Sequence, residues 1–388
     1  MPKYRFEDIA FNITKKRKPT SHDMKTYIGL EHLDSGSLSV TRWGSNVPIK
    51  GDKLLMQKGD ILFGKRNAYL RRAAIAPHDG LFSAHGMILR PNEEVISRKL
   101  FPFFICSDYF FDAAIRISVG SLSPTINWSA LKELEFILPN MYEQEKLAEL
   151  LWAANDTKEA YKKLLYLTDE LVKSQFIEMF GDPNKNPFNW DNYPVGEWIK
   201  RDFIERPMDG NHGGKHPRAT DYVSSGVPFI MANNLINGKI DYHSCNYLTE
   251  PQANSLDKGF AKAGDVLITH KGTIGRTAIV DNKFDFIMLT PQVTYYRILK
   301  GLNNIYLKAY FDSDYFQTEM FKIAGSGTTR AYIGITAQKK LPLIVPPIEL
   351  QNKFADFVQQ SDESKFELKQ NIDNLETTIK ALMMQNLG

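Results

Sequence analysis

Two short basic stretches hold many of the residues able to grip a polyanion, and they sit at matching places in the chain. The first is Phe63-Gly64-Lys65-Arg66-Asn67-Ala68-Tyr69-Leu70-Arg71-Arg72 and the second is Thr269-His270-Lys271-Gly272-Thr273-Ile274-Gly275-Arg276. Arg and Lys donate to phosphate oxygens and to the guanine edge, Asn matches the adenine edge, and glycine lets backbone approach a phosphate closely. This makes Lys65, Arg66, Asn67, Arg71 and Arg72 candidate DNA contacts in the first stretch, and His270, Lys271, Thr273 and Arg276 in the second. His212 and Lys215, in Asp209-Gly210-Asn211-His212-Gly213-Gly214-Lys215-His216, extend the set, as does Arg330 after Gly325-Ser326-Gly327-Thr328-Thr329. Lys15-Lys16-Arg17-Lys18 is a weaker candidate. For any one of these residues the competing reading is a solvated loop with ordinary surface charge, and for the last glycine-rich stretch a simple chain turn.

Catalytic chemistry finds no comparable anchor. A phosphate-binding loop needs two glycines at fixed spacing followed by Lys and a hydroxyl residue, and Gly213-Gly214-Lys215-His216 fails on both counts. An amino-methyltransferase motif would put a second proline after Asn186-Pro187, where Phe188 stands instead. Asp281-Asn282-Lys283 is a turn-like tripeptide rather than a nuclease centre, and no His-Glu-x-x-His or Gly-x-Ser-x-Gly occurs. The expectation is a binding protein that is not an enzyme, with no cofactor or metal of its own.

The elements that position the basic stretches are duplicated. Lys58-Gly59-Asp60-Ile61-Leu62 returns as Ala263-Gly264-Asp265-Val266-Leu267, 205 residues later. Ser107-Asp108-Tyr109-Phe110 returns as Ser313-Asp314-Tyr315-Phe316 at 206, and Phe136-Ile137-Leu138-Pro139 with Glu143-Gln144 returns as Leu343-Ile344-Val345-Pro346 with Leu350-Gln351 at 207. Three ordered matches at nearly constant offset predict two copies of one module. Within each copy, β-rich runs such as residues 264–280 alternate with turns and with helical patches at residues 101–117 and 305–323.

A long helix follows each module. Residues 143–180 lack Pro and Gly, carry Leu147, Leu151, Tyr161, Leu165 and Val172 at helical steps, and stop at Gly181-Asp182-Pro183. Leu368, Ile372, Leu375, Ile379 and Leu382 keep a 4-3-4-3 spacing in the last segment. Each helix would run ~55 Å, and a narrow apolar seam of that length calls for a partner helix. The nearest partner is the other copy, paired antiparallel; the alternative is two separate amphipathic helices, each on its own domain surface. The expected fold is therefore mixed α/β (α+β), with two pseudo-repeated domains at residues 1–142 and 181–348 separated by antiparallel coiled-coil helices at 143–180 and 349–388.

Composition agrees with a folded, multidomain chain. There are 388 residues, 43% hydrophobic and 24% charged, with a net charge of +3. Residues 1–142 hold 20 Lys and Arg against 14 Asp and Glu, and residues 181–348 hold 19 against 16, whereas both helical segments are net negative. Positive charge thus gathers in the modules, as a polyanion partner requires. Cys106 and Cys245 stand alone, which argues against a disulfide framework or a zinc site. No apolar run approaches ~20 residues and no signal-like stretch follows the basic start, so a cytoplasmic protein is expected.

Taken together, the pattern resembles the specificity subunits of type I restriction-modification systems over essentially the whole chain. The resemblance rests on the duplicated Gly-Asp-Ile/Val-Leu motif, the strand before Glu143-Gln144 and Leu350-Gln351, and the two long helices. Met179-Phe180-Gly181-Asp182-Pro183 with Asn186-Pro187 and Trp190 adds to it, as does Asp209-Gly210-Asn211-His212-Gly213, which looks like a loop at the start of a target-recognition domain. The resemblance implies two target-recognition domains reading the halves of a split double-stranded DNA site, with the helices fixing the gap. It also implies two methyltransferase subunits docked per chain and further restriction subunits, with S-adenosylmethionine, ATP and magnesium on those partners. Gly120-Ser121-Leu122-Ser123-Pro124 departs from residues 325–330, which implies different half-sites. The competing function is a scaffold whose paired helices join two protein-binding modules; only DNA reading gives steep salt dependence.

Overall fold

The computed structural model describes residues 2–324 and 332–387. The chain divides into two compact units, Met1–Leu164 with Leu368–Gly388, and Leu165–Glu367. Both are built on the same plan.

In the first unit an antiparallel sheet runs in the order Ala10–Ile13, Met87–Pro91, Ile61–Phe63 and Ala73–Ile75. Its central strand Ile61–Phe63 is buried throughout, as its unbroken apolar sequence requires. The short helices Phe101–Cys106 and Asp108–Arg116 pack against it, and Ser107 between them caps the second by accepting from the Phe110 amide. The core is strongly aromatic, with Phe6, Phe63, Phe104, Phe110 and Phe136 in one cluster. The strand Lys3–Arg5 pairs with Glu135–Ile137, so the module's beginning and end meet in one ribbon.

The second unit repeats this arrangement. Its sheet order is Met208–Asp209, Val293–Tyr296, Val266–Lys271 and Thr273–Ile279, and its ribbon joins Asp191–Pro194 to Pro342–Val345. Ser313 stands where Ser107 stands, its hydroxyl donating to Tyr310 O at 2.6 Å as Ser107 donates to Phe104 O at 2.6 Å.

The repeated Gly-Asp motif has a single structural cause. Gly59 (φ +91°) and Gly264 (φ +89°) take the left-handed conformation that turns the chain into the central strand, where a side chain would be strained. Asp60 and Asp265 then close the turn by accepting from the amides of Gln57 at 2.7 Å and Lys262 at 2.8 Å. Both carboxylates are buried, and each is met by an arginine of the neighbouring strand. Arg90 donates from Nε at 2.5 Å and Nη2 at 3.1 Å, and Arg297 from the same atoms at 2.9 and 2.8 Å.

Each module leads into a helix of 40 residues, Met141–Phe180 and Ile348–Leu387. The central helix starts two residues before Glu143 because Asn140 and Glu143 cap each other, Oδ1 accepting the Glu143 amide at 3.0 Å and the glutamate accepting the Asn140 amide at 3.4 Å. In the first unit Leu147 and Leu151 of the central helix share a core with Ile379 and Leu387, Leu382 packs on it, and Lys162 pairs with Glu376 at 4.0 Å. In the second unit Phe176 and Phe180 pack with Phe354, Val172 lies against them, and Lys365 pairs with Asp169 at 3.1 Å. In both units residue numbers rise along one helix as they fall along the other, so the helices pack antiparallel. Ile372 is buried, and Tyr161, Leu165, Leu368 and Leu375 are partly buried. No helix among the described residues is long and apolar enough to cross a membrane.

A glutamine fastens each helix to its module. Gln144 accepts the Ser97 amide at 2.8 Å and donates to Pro139 O and Val95 O at 2.9 and 3.0 Å. Gln351 accepts the Asn303 amide at 2.8 Å and donates to Pro346 O and Gly301 O at 2.7 and 3.2 Å. Leucine at either place orphans one buried amide and two carbonyls. Gln144→Leu and Gln351→Leu are each expected to lower stability by about 2–4 kcal/mol in urea denaturation, whereas surface Gln370→Leu leaves it within about 0.5 kcal/mol.

Candidate nucleic-acid interface

Five residues after the buried aspartate, each central strand reaches the tip of a loop, and the two tips are equivalent. In the second unit Gly272 (φ +78°) turns the strand Val266–Lys271 into Thr273–Ile279. The segment at Tyr332 and Ile333 lies alongside, with the Ile333 amide donating to His270 O at 2.9 Å and Lys271 bridged to Tyr332. In the first unit the Ile126 amide donates to Lys65 O at 2.9 Å, Arg66 is bridged to Thr125, and Asn67 (φ +56°) holds the left-handed position. Asparagine tolerates that conformation better than other side-chain-bearing residues. Lys65, Arg66 and Asn67 therefore stand where His270, Lys271 and Gly272 stand.

The loops leaving the first strand correspond as well. Ile13 pairs with Ile88 and Met208 with Tyr295, two residues before Arg90 and Arg297 respectively. Residues 14–18 thus take the place of residues 209–213, and each loop flanks its hairpin tip.

In the first unit this loop is basic. Lys15, Lys16 and Lys18 are exposed, and Arg17 is anchored by Asp23 at 2.7 and 2.6 Å, which holds the Asp23 carboxyl well below the usual range. Burial and the neighbouring charge of Lys16 push the Lys65 ammonium down. Arg66 is exposed. Arg71 is placed differently from the rest: its guanidinium forms ion pairs with Asp108 and Asp112, one turn apart on a helix, and braces the loop. Arg72 is partly buried, and its carbonyl accepts the Gly64 amide at 2.8 Å.

In the second unit the loop is built around an acid. Asp209 is 4% exposed, and it accepts from Lys258 Nζ at 2.5 Å and from His212 Nε2 at 2.7 Å. Burial opposes its ionisation, but the bonds and charges of Lys258 and His212 outweigh this and keep the carboxyl below the usual range. Gly210 is required here, because a Cβ would lie 1.8 Å from Leu289 O. Asn211 donates to Lys258 O at 2.6 Å and accepts the Asp257 amide at 3.1 Å. Lys215, farther along the loop, pairs with Asp257.

His270 is wholly buried, with Nδ1 donating to Ile333 O at 2.9 Å, and burial pushes its pKa down. Its side chain lies beneath the tip, not on its surface. Lys271 and Thr273 face each other across the turn and are exposed, with the Lys271 ammonium 5.9 Å from the Tyr332 ring centre. Arg276 leans toward the carbonyls of Ala232 and Leu235, 3.5 and 3.4 Å from its Nη1. Arg330 and residues 325–329 lie outside the described residues.

The structure thus gathers His212, Lys271 and Thr273 over His270, and sets Lys65, Arg66 and Asn67 beside Lys16. Tyr332, half exposed at the tip, was not singled out from sequence. The available signal was its position before Ile333, matching Thr125 before Ile126 at the 207-residue offset of the strand motif that follows. Exposed cations and a phenol on tight turns can meet phosphates and base edges, whereas the side-chain oxygen of Asn67 is buried in its turn.

The sequence profile described as type I restriction modification DNA specificity domain matches residues 3–165 and again residues 209–377. The MjaIX specificity subunit of a type I restriction enzyme from Methanocaldococcus jannaschii is 24% identical over 418 residues, spanning 92% of this chain and 91% of its own. The MjaVIII specificity subunit of the same organism is 21% identical over 375 residues, spanning 92% and 84%. A solved chain from a study of type I R-M complex assembly and conformational transition superposes with a TM-score of 0.60 at 18% identity, covering 99% of this chain and 97% of that one. The type I restriction-modification S subunit from M. genitalium gives 0.58 at 12% identity, covering 100% and 96%; both likenesses show the fold. With the profile matched twice, once on each copy of the module, the chain belongs to the type I restriction-modification DNA specificity family, whose specificity subunits are not catalysts.

Proposed function

We propose that residues 1–142 and 181–348 are two target-recognition domains that read the two halves of a bipartite, asymmetric double-stranded DNA site. The observation that carries this reading is the pair of equivalent tips: one backbone turn, held at one place by one buried aspartate, is furnished with Lys65, Arg66 and Asn67 in one unit and with His270, Lys271 and Gly272 in the other. A shared frame with different polar side chains suits two readers of unlike half-sites. In the first domain Arg66, Asn67 and Lys65 with Lys16 face the duplex. In the second Lys271, Thr273, His212 and Tyr332 do so, flanked by Lys215 and Arg276, with Arg330 as a further contact.

The paired helices, residues 143–180 and 349–388, set the gap between half-sites and dock two methyltransferase subunits. Those subunits bring S-adenosylmethionine, and restriction subunits bring ATP and magnesium; this chain supplies only the address. The seam residues Leu147, Leu151, Tyr161, Leu165, Val172, Leu368, Ile372, Leu375, Ile379 and Leu382 hold the helices in register.

Methylome sequencing of cells with and without the chain tests the reading, with loss of one bipartite motif as the expected result. Arg66→Ala and Lys271→Ala are each expected to flatten the slope of log affinity against log salt by about 1 in the complex with its methyltransferase. Weak binding without salt dependence would favour the scaffold. Arg71→Ala should instead lower stability by about 1 kcal/mol in urea denaturation and leave the salt slope in place. Inserting four residues into each long helix lengthens the pair by about 6 Å and should widen the gap by about two base pairs with both half-sites unchanged. An unchanged gap in the methylome would refute the ruler.

A further inference from the structure

We propose that Asp209 fixes the hydrogen-bonding sense of His212 and thereby which bases the second domain accepts at one position. The inference rests on the reading of that domain as a DNA reader and adds to it a positioning residue and a rule of discrimination.

Asp209 is surrounded by donors that leave it no choice of role. One carboxylate oxygen takes Lys258 Nζ at 2.5 Å and the other faces His212 Nε2 at 2.7 Å. An ionised carboxylate offers only lone pairs, so the hydrogen in the second contact belongs to Nε2. A neutral imidazole has a single N–H, and Nδ1 of His212 is then an acceptor. The side chain is 48% exposed, and among the described residues no hydrogen bond engages Nδ1. The neighbouring His270 supplies no competing hydrogen: its Nδ1 donates to Ile333 O, and its Nε2, 4.0 Å from Asp209, has no partner among the described residues. Gly210 against Leu289 O and Asn211 against Lys258 O keep the loop from shifting to another arrangement.

An outward acceptor discriminates by sign. It is repelled by phosphate oxygens and by guanine O6 and N7, and it receives a hydrogen from the exocyclic amine of adenine or cytosine. In its neutral form the His212 ring is therefore a base reader rather than a phosphate clamp, and it selects adenine or cytosine on the strand it touches.

Asp209→Asn reverses the hydrogen-bonding sense of the ring. The amide has one oxygen, Lys258 can only donate and holds it, and the amide nitrogen turns its hydrogens toward His212 Nε2. The ring must then carry its hydrogen on Nδ1, and the outward atom becomes a donor that guanine O6 and N7, thymine O4 and adenine N7 accept and cytosine does not. In cells expressing the chain with its methyltransferase, Asp209→Asn is expected to open one position of the second half-site, restricted to adenine or cytosine in the unaltered chain, to guanine or thymine and to disfavour cytosine there. A preference of about tenfold is expected, the worth of one hydrogen bond made or broken. The half-site read by the first domain stays as it was and serves as the internal control. Imidazole 15N shifts of His212 in the full chain, without DNA, should move from the Nε2-H to the Nδ1-H tautomer.

His212→Ala provides the second variant, since its half-exposed side chain can be removed without disturbing the core, and it should make the same position degenerate. A methylome in which that position is unchanged in His212→Ala overturns the inference while leaving the two-domain reading intact. So does an Asp209→Asn chain that methylates normally with no change of base. If the unaltered chain directs no bipartite methylation, the underlying reading fails and the inference falls with it.

Discussion

A carboxylate buried at the start of the central strand and met by an arginine from the strand beside it organises each module. Asp60 with Arg90, and Asp265 with Arg297, tie three features together: the left-handed glycine turn, the alignment of two strands, and the point from which the chain is counted to the exposed tip. Four residues separate the aspartate from Lys65 in one unit and from His270 in the other. A slip of one residue would turn every side chain of the strand to the other face. The pair's worth lies in this registration. A buried ion pair gains little net stability over an apolar replacement, but loss of one partner strands a charge in the core.

Much of the architecture could be read from the chain because it depends on local rules. Turn glycines, the serine cap and the absence of helix breakers over residues 143–180 act within a few residues, and the repeat made each signal appear twice. The helix starts were displaced by two residues at Met141 and one at Ile348, because a cap is set by individual side chains such as Asn140 rather than by periodicity.

The site was legible only in part, for a different reason. Composition marks His270 and Arg71 as polar and available, yet one is buried under Tyr332 and Ile333 and the other is claimed by Asp108 and Asp112, 37 and 41 residues away. Such partners are set by tertiary packing and leave no mark on the local sequence. Tyr332 went unnoticed for the converse reason, since an isolated tyrosine draws attention only when strand pairing delivers it beside Lys271. The two domains also differ in electrostatic character: residues 14–18 bring positive charge to the first tip, whereas Asp209 beneath the second neutralises Lys258 and orders its neighbours.

The ribbons that join Lys3–Arg5 to Glu135–Ile137 and Asp191–Pro194 to Pro342–Val345 have a consequence for heredity. Each module enters and leaves through adjacent antiparallel strands and is latched to its helix by a glutamine, while its core continues into both long helices. A recombination event with both crossovers in those ribbons would carry a whole module across, and the incoming module would still have to fit the helix faces that complete its core. The exchangeable unit is thus a module that keeps the side chains by which it meets Leu147 and Leu151 in one unit and Phe176, Phe180 and Phe354 in the other.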